Sequence, residues 1–257
     1  MSHNDVSSRN GRVGPLTGPI ELSVIIPCYN AEDTISEQLE ALAEQEWTHP
    51  WEVIVADNGS TDSTREIVER YRNHLPLLSI VDASGRRGSA HARNKAAAVA
   101  QGRALAFCDA DDVVGPGWVA AMGEALKERE FVASRFDTEK LSPGPVSEIR
   151  RDLQRHDVQR LWYPPYLVHS GTCGLGVIRA LYQAVGGLDE SLLCLHDTDF
   201  CIRMQNAGTR LEFVRDAVVF VRPRGTLRGR FHQARAWAME NELLYKKYCP
   251  PGMTVPS

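Results

Sequence analysis

The stretch with the densest chemistry is Leu105-Ala106-Phe107-Cys108-Asp109-Ala110-Asp111-Asp112, an apolar run that passes directly into three carboxylates. Such a run reads as a buried strand whose carboxyl end carries negative charge to the edge of a sheet, and in open α/β proteins that edge is where ligands bind. Carboxylates crowded this closely repel one another at low effective dielectric and call for a cation between them. Oxygen ligands select hard divalent cations, Mg2+ or Mn2+, over zinc. A solvated acidic turn is the alternative reading of the same residues. The turn Asp57-Asn58-Gly59-Ser60-Thr61-Asp62-Ser63-Thr64 offers two more carboxylates, and Asp57 and Asp62 are natural caps for a helix starting near Ser63. Late in the chain, Arg222, Arg224, Arg228 and Arg230 suit a diphosphate or an anionic membrane surface, against a default of a solvated basic face. His91, His156 and His169 show no metal-ligand spacing, and Gly171-Thr172-Cys173-Gly174-Leu175-Gly176 lacks the Lys-Ser/Thr ending of a phosphate loop, so it reads as a tight turn.

The elements needed to position these groups follow from the apolar pattern. Ile20 to Pro27 is a β-branched run that fits a buried parallel strand, and the helix after it carries Ile35, Leu39 and Leu42 at i, i+4 and i+7, with Asn30 and Asp33 placed as a capping box. Trp51 to Ala56 is a second strand, and Arg65 to His74 is a helix with Ile67, Val68 and Tyr71 inward. Leu77 to Val81 is a third strand, and Gly88 to Ala100 is a helix whose alanines allow close packing on a sheet. The acidic tip then ends the fourth strand of a βαβ series, the pattern of a parallel sheet with right-handed crossovers.

Beyond it the pattern is less regular. Asp137 to Asp157 reads as a loop or lid, Gly171 to Asp189 as a turn and short helix closed by Gly186-Gly187, and Asp197 to Asn206 as a helix closed by Gly208. Leu211 to Val214 and Ala217 to Val221 read as two strands, and Arg230 to Tyr248 as an amphipathic helix with Ala234, Trp237, Ala238, Leu244 and Tyr248 inward. The division expected is a leader at 1–19, a half at 20–115 carrying the first ligand site, a second half at 116–249, and a tail at 250–257, the two halves forming one domain.

With 257 residues, 43% hydrophobic and 24% charged, the chain is long enough to bury a full core. A formal net charge of −4 argues against a nucleic-acid partner. Six cysteines without a CxxC pair point to reduced thiols in a cytoplasmic protein rather than to disulfides or structural zinc. No apolar run approaches the roughly 18 residues that span a bilayer, so membrane contact, where there is any, is expected to be peripheral, at an inner face.

Three landmarks stand in one order: SVIIPCYNAEDTI with VADNGSTDST after it, GSAHARNKA leading to FCDADD, and GVIRALYQAVGGLDE followed by LHDTDFCIR. Across Ile20 to Gly208 this set resembles the family 2 glycosyltransferases of the GT-A fold. The resemblance implies an α/β, Rossmann-like nucleotide-diphospho-sugar transferase with a mostly parallel central sheet flanked by helices. It further implies a metal-dependent inverting transfer of sugar from a nucleotide-diphosphate donor, a UDP-sugar first, to an acceptor hydroxyl that the residues do not identify. Pro27, Tyr29 and Asn30 would line the nucleotide pocket, with Tyr29 near the base and Asp57 accepting from the base imide. Arg93 would lie near the nucleotide, Asp109 at the ribose or a metal-bound water, and Asp111 on the metal bridging the two phosphates, with Asp112 a third candidate. Asp197 matches the general base. The position before it is His196 where an acid is usual, and His196 would tune Asp197 or contact the acceptor. Some GT-A enzymes add a late histidine to the metal, and His232 is the candidate for that role, against a default of a solvated histidine at the start of a helix. A single base with no carboxylate nucleophile implies inversion, by analogy with inverting glycosidases.

Two rival readings use the same residues. Asp109-Ala110-Asp111-Asp112-Val113 fits the signature of haloacid-dehalogenase-like phosphatases, but that motif opens its domain at the first strand, and here several strand and helix units precede it. A nucleotide-sugar-binding protein that has lost catalysis would share the fold, and His196 is the feature that raises it.

Overall fold

A computed structural model of the chain describes residues 18–141, 154–222 and 227–249, the last stretch without the side chains of 227–230, 232 and 233. Strand β1 (Leu22–Cys28) and strand β2 (Trp51–Asp57) are buried along their whole length. Continuous β-branched runs of this kind suit parallel strands covered on both faces. Successive side chains of β1 alternate between two cores: Val24 and Ile26 pack with Leu39 and Leu42, whereas Ile25 packs with Ala92, Ala96 and Phe107.

The first layer of cover comes from α1 (Ile35–Ala43) and α2 (Thr64–Arg70), and the opposite face is covered by α3 (Ser89–Val99), whose Ala90, Ala92, Ala96 and Ala97 are buried. Strands β3 (Ser79–Asp82) and β4 (Ala104–Phe107) complete a parallel block in the order β3-β2-β1-β4. Cys28 stands opposite Asp57 and Asp57 opposite Asp82, so the carboxyl ends of β1, β2 and β3 finish level. This is the edge from which Tyr29, Asn58 and, after β4, Asp109 project.

After the acidic tip come the short β5 (Val113–Val114), α4 (Trp118–Glu128) and β6 (Phe131–Asp137). A two-residue pair, β7 (Gln159–Arg160) and β8 (Val168–His169), forms a separate small sheet. A single 3-10 turn at Thr172–Gly174 leads into β9 (Leu175–Ile178), which runs antiparallel between β4 and β6. Helix α5 (Arg179–Ala184), helix α6 (His196–Asn206), strand β10 (Leu211–Phe220) and helix α7 (Leu227–Tyr248) follow. The eight-stranded order is β3-β2-β1-β4-β9-β6-β10-β5, with β10 parallel to β6 and β5 antiparallel to β10. All strands except β9 and β5 therefore run the same way, the mixed but mostly parallel sheet of the expected fold.

One local expectation holds and two change. The glycine string at 171–176 is a tight turn, with the 3-10 turn at Thr172–Gly174, and it also serves packing: a Cβ on Gly174 would lie 2.6 Å from Phe136 Cε1 and 2.8 Å from Ser134 Cβ. The two strands expected at 211–214 and 217–221 are one strand, β10, with an irregularity between Val214 and Val218 that absorbs the intervening charged residues. On α7, Leu244 is buried as expected, but Ala234 and Ala238 face solvent, because the inward face is centred on Glu240 and Leu244. No helix among the described residues is long and apolar enough to cross a membrane.

Candidate active site

The turn after β1 and the turn after β2 are laced together by polar side chains. Asn30 adopts φ 48, a left-handed conformation that Asn tolerates, and accepts the Thr61 N–H at 2.8 Å through Oδ1 while its own N–H donates to Ser60 Oγ at 3.0 Å. Its side chain therefore does not cap α1, as the spacing with Asp33 predicts; that helix starts at Ile35 with no side-chain cap, because Asn30 is committed across the cleft. Asp62 caps α2 by accepting from Thr64 N–H at 3.1 Å, and it also takes the Glu32 N–H at 3.1 Å.

Within this frame Pro27 is buried, while the Tyr29 ring is 41% exposed with the Arg87 guanidinium 3.9 Å from its centroid. Asp57 ends β2 buried, accepting the Ser60 N–H at 3.0 Å and pairing with Arg65 at 3.2 Å. Burial, with the Asp57 charge beside it, pushes the neighbouring Cys28 thiol up to about 12, so that cysteine is inert.

The acidic tip is held from below by a residue that the apolar pattern passes over. Gln38 of α1, fully buried, donates to the Asp109 carbonyl at 3.2 Å and accepts the Val114 N–H at 2.9 Å. From the other side Arg93 of α3, also buried, forms an ion pair with the Asp109 carboxylate and donates to His196 Nε2 at 3.3 Å. An arginine always donates, so the neutral imidazole accepts at Nε2 and carries its proton on Nδ1. Burial, with the Arg93 charge next to it, lowers the His196 pKa to about 3. The sequence reading allowed His196 to meet the acceptor; its ring is instead enclosed against Arg93, joining α6 to the acidic tip.

Asp112 is 4% exposed and accepts the Arg222 main-chain N–H at 2.8 Å. Burial, followed by the charges of Asp109 and Asp111, drives its carboxyl well above the usual carboxylate range. The ligand atoms of Asp109, Asp112 and Cys173 lie within 4.8 Å of one another. Two carboxylates held this close, with Arg93 already on Asp109, fit a hard divalent cation. The Cys173 thiol is held protonated by burial and by Asp112 and Asp109, so it bonds Asp112 rather than offering a thiolate. Asp111 is exposed at the tip, outside this group of three, and the side chain of His232 lies outside the described residues.

Cys173 is the member that sequence reading missed, since nothing local links the 3-10 turn to the acidic strand end. Asp112→Asn is expected to abolish the rise in melting temperature given by Mn2+ without lowering stability in its absence, because it relieves like-charge repulsion yet keeps an acceptor for Arg222. Asp111→Asn in the same thermal assay should keep more of the Mn2+ response. The opposite ranking of the two variants would remove Asp112 from the cation site.

Asp197, half-buried, is the second residue of α6. Burial lifts its pKa to about 6, against the Thr198 N–H at 2.7 Å and the charge of Arg93, which stabilise the carboxylate. The Thr172 backbone also bonds it, so the 3-10 turn bearing Cys173 joins Asp197 to the acidic group. A carboxylate with this pKa is free to take a proton at neutral pH. Close by, Thr198 Oγ1 lies 3.4 Å from His169 Nδ1, and burial lowers His169 to about 4. The carboxyl edge thus presents an exposed aromatic ring, a buried arginine, two neighbouring carboxylates and, beside them, Asp197 with its raised pKa.

The family model described as Glycosyl transferase family 2 matches residues 23–186. Among curated proteins, the putative teichuronic acid biosynthesis glycosyltransferase TuaG of Bacillus subtilis is 43% identical over 91 residues, which is 35% of this chain and 36% of that protein. The matched stretches span only 16–39% of the length of such relatives. Among solved structures, S. aureus TarS 1-349 in complex with UDP-GlcNAc superposes with a TM-score of 0.63 at 24% identity, covering 80% of this chain and 60% of that one. The mannosyltransferase PcManGT of Pyrobaculum calidifontis, in complex with GDP-Man and Mn2+, superposes with a TM-score of 0.65 at 23% identity, covering 93% and 68%. These two likenesses establish the GT-A fold.

Proposed function

The chain belongs to glycosyl transferase family 2, and from that premise we propose that it moves a sugar from a nucleoside-diphosphate donor to an acceptor hydroxyl, with inversion, using Mn2+ or Mg2+. The observation that carries this reading is the meeting of the Asp109–Asp112 pair with Asp197 around one 3-10 turn at the carboxyl edge of the sheet. Transfer of this kind needs a stabilised leaving group, an activated acceptor oxygen and in-line placement of the two.

Each residue takes one of these tasks. Tyr29, with Pro27 and Asn30 beside it, forms the wall against which the base lies, and Asp57 stands at the end of β2 to receive the base imide. Asp109 and Asp112 would hold the cation with Asp111 at its open side, and the bound cation would supply charge neutralisation to the departing diphosphate. Arg93 brings its guanidinium beside the site, held between Asp109 and the neutral His196. Asp197 takes the proton of the acceptor hydroxyl. A UDP-sugar is the donor favoured; a relative in structure was solved with UDP-GlcNAc and another with GDP-Man, which supports a nucleotide-sugar and leaves base choice to measurement.

Thermal unfolding with UDP, GDP or dTDP, each with and without Mn2+, tests the donor half of this reading. A ligand at 100 times its Kd adds about 2.7 kcal/mol to the folded state. UDP with Mn2+ is expected to raise the melting temperature most. No response to any of the three diphosphates in the presence of Mn2+ would overturn it.

A further inference from the structure

We propose that Glu240 of α7 is a positioning residue that sets the place of Asp197, a claim that rests on the reading of Asp197 as the base. Glu240 is buried and accepts three successive main-chain N–H groups, those of Leu193 at 2.7 Å, Cys194 at 2.9 Å and Leu195 at 2.6 Å. These residues form the turn immediately before α6, and Asp197 is the second residue of that helix.

The N–H groups at the start of a helix lack partners within it, and negative charge is favoured there. Ordinarily a Ser, Thr, Asp or Asn at the cap supplies the acceptor. Here the local sequence is Leu193-Cys194-Leu195, and α6 has no side-chain cap of its own. A carboxylate from a helix far along the chain instead anchors the three residues that lead into the helix, the last of them its cap residue Leu195. Packing does not replace it, since the Leu193 side chain is 79% exposed.

The same helix grips α6 a second time. Asp199, fully buried, accepts from Lys247 Nζ at 2.7 Å and Tyr248 Oη at 2.5 Å, with Arg203 on its other oxygen at 2.7 Å. Between the two grips Leu244 is fully buried. Helix α7 therefore fastens the segment that carries the base, and it lies outside the stretch matched by the family model, which ends at residue 186. All three partners of Glu240 are donors, so an acceptor-only carboxylate suits the position and an amide does not.

Glu240→Ala and Glu240→Gln test this, read by main-chain amide exchange over residues 193–197 and by turnover. Turnover is followed as diphosphate release to water from whichever of UDP-glucose, UDP-GlcNAc and GDP-mannose the unmodified chain hydrolyses fastest, with Mn2+ present and well below each variant's melting temperature. A misplacement on the order of 1 Å lowers the rate about 10²-fold. The Ala variant is expected to lose roughly that factor in kcat with donor KM within about twofold, the Gln variant less, and exchange at the three amides should accelerate in both. Should the Ala variant fail to fold, the Gln variant carries the test. Unchanged exchange at these amides, unchanged kcat, or a fall in kcat matched by a rise in KM would each overturn the assignment. Asp197→Asn is measured beside them: full turnover there would sink the base reading itself, whereas an inactive Asp197→Asn with normal turnover in Glu240→Ala would sink only the role of Glu240.

Discussion

Asp197→Asn is expected to lower transfer by about 10²- to 10⁴-fold, the usual contribution of a positioned general base. Asn has the same shape and still accepts the Thr198 N–H, so the fold and the thermal response to UDP and Mn2+ should survive. The unmodified chain should also show an acid limb. Asp197 titrates with a pKa raised to about 6, above the ordinary 3.8, chiefly because burial disfavours its charge. Below that pH it holds a proton and is not a base; above it the carboxylate is ready. Turnover should therefore fall close to tenfold per pH unit below about pH 6 and level off above it. His196 and His169, neutral across this range, contribute nothing to the limb. A profile flat from pH 5 to 8, or wild-type turnover in Asp197→Asn, would take the residue out of the mechanism.

The second large effect is expected from Arg93→Met. Removing one partner of a fully buried ion pair costs about 3–5 kcal/mol. Asp109 is one-third exposed and water can reach it, so the loss here should be smaller, about 2–3 kcal/mol. Met fills most of the volume of the arginine stem, which keeps the cavity contribution low. The variant also frees an Asp109 oxygen, so Mn2+ should raise its unfolding midpoint more than it raises that of the unmodified chain. Urea unfolding with and without Mn2+ reads both. Equal midpoints for the two proteins without metal would show that the Arg93–Asp109–His196 chain contributes little to stability.

Much of the frame was legible because short-range signals write it directly. The runs at Leu22–Cys28 and Trp51–Asp57 are buried throughout, as strands covered on two faces must be. The alanines of α3 lie against the sheet because small side chains let the helix approach it. Farther along, the signals thin out. β9 is four residues long, and nothing in Leu175–Ile178 says that it inserts antiparallel between β4 and β6. A strand's neighbours are chosen by crossover topology rather than by its own composition.

At the site the same division holds. Residue types alone pointed to a strand ending in carboxylates and to Mg2+ or Mn2+ chemistry, and the ordered motifs pointed to Asp197. Tertiary structure decided which groups meet: Asp112 beside Asp109 with Cys173 across from them, Arg93 turned onto Asp109, His196 enclosed against Arg93, and Glu240 anchoring the turn that leads into a helix whose own sequence carries no cap. The physical reason is distance along the chain. Period, propensity and crowded charge act over a few residues and are written in order, whereas each of these contacts joins segments brought together only when the sheet closes, and burial then sets their protonation and their use.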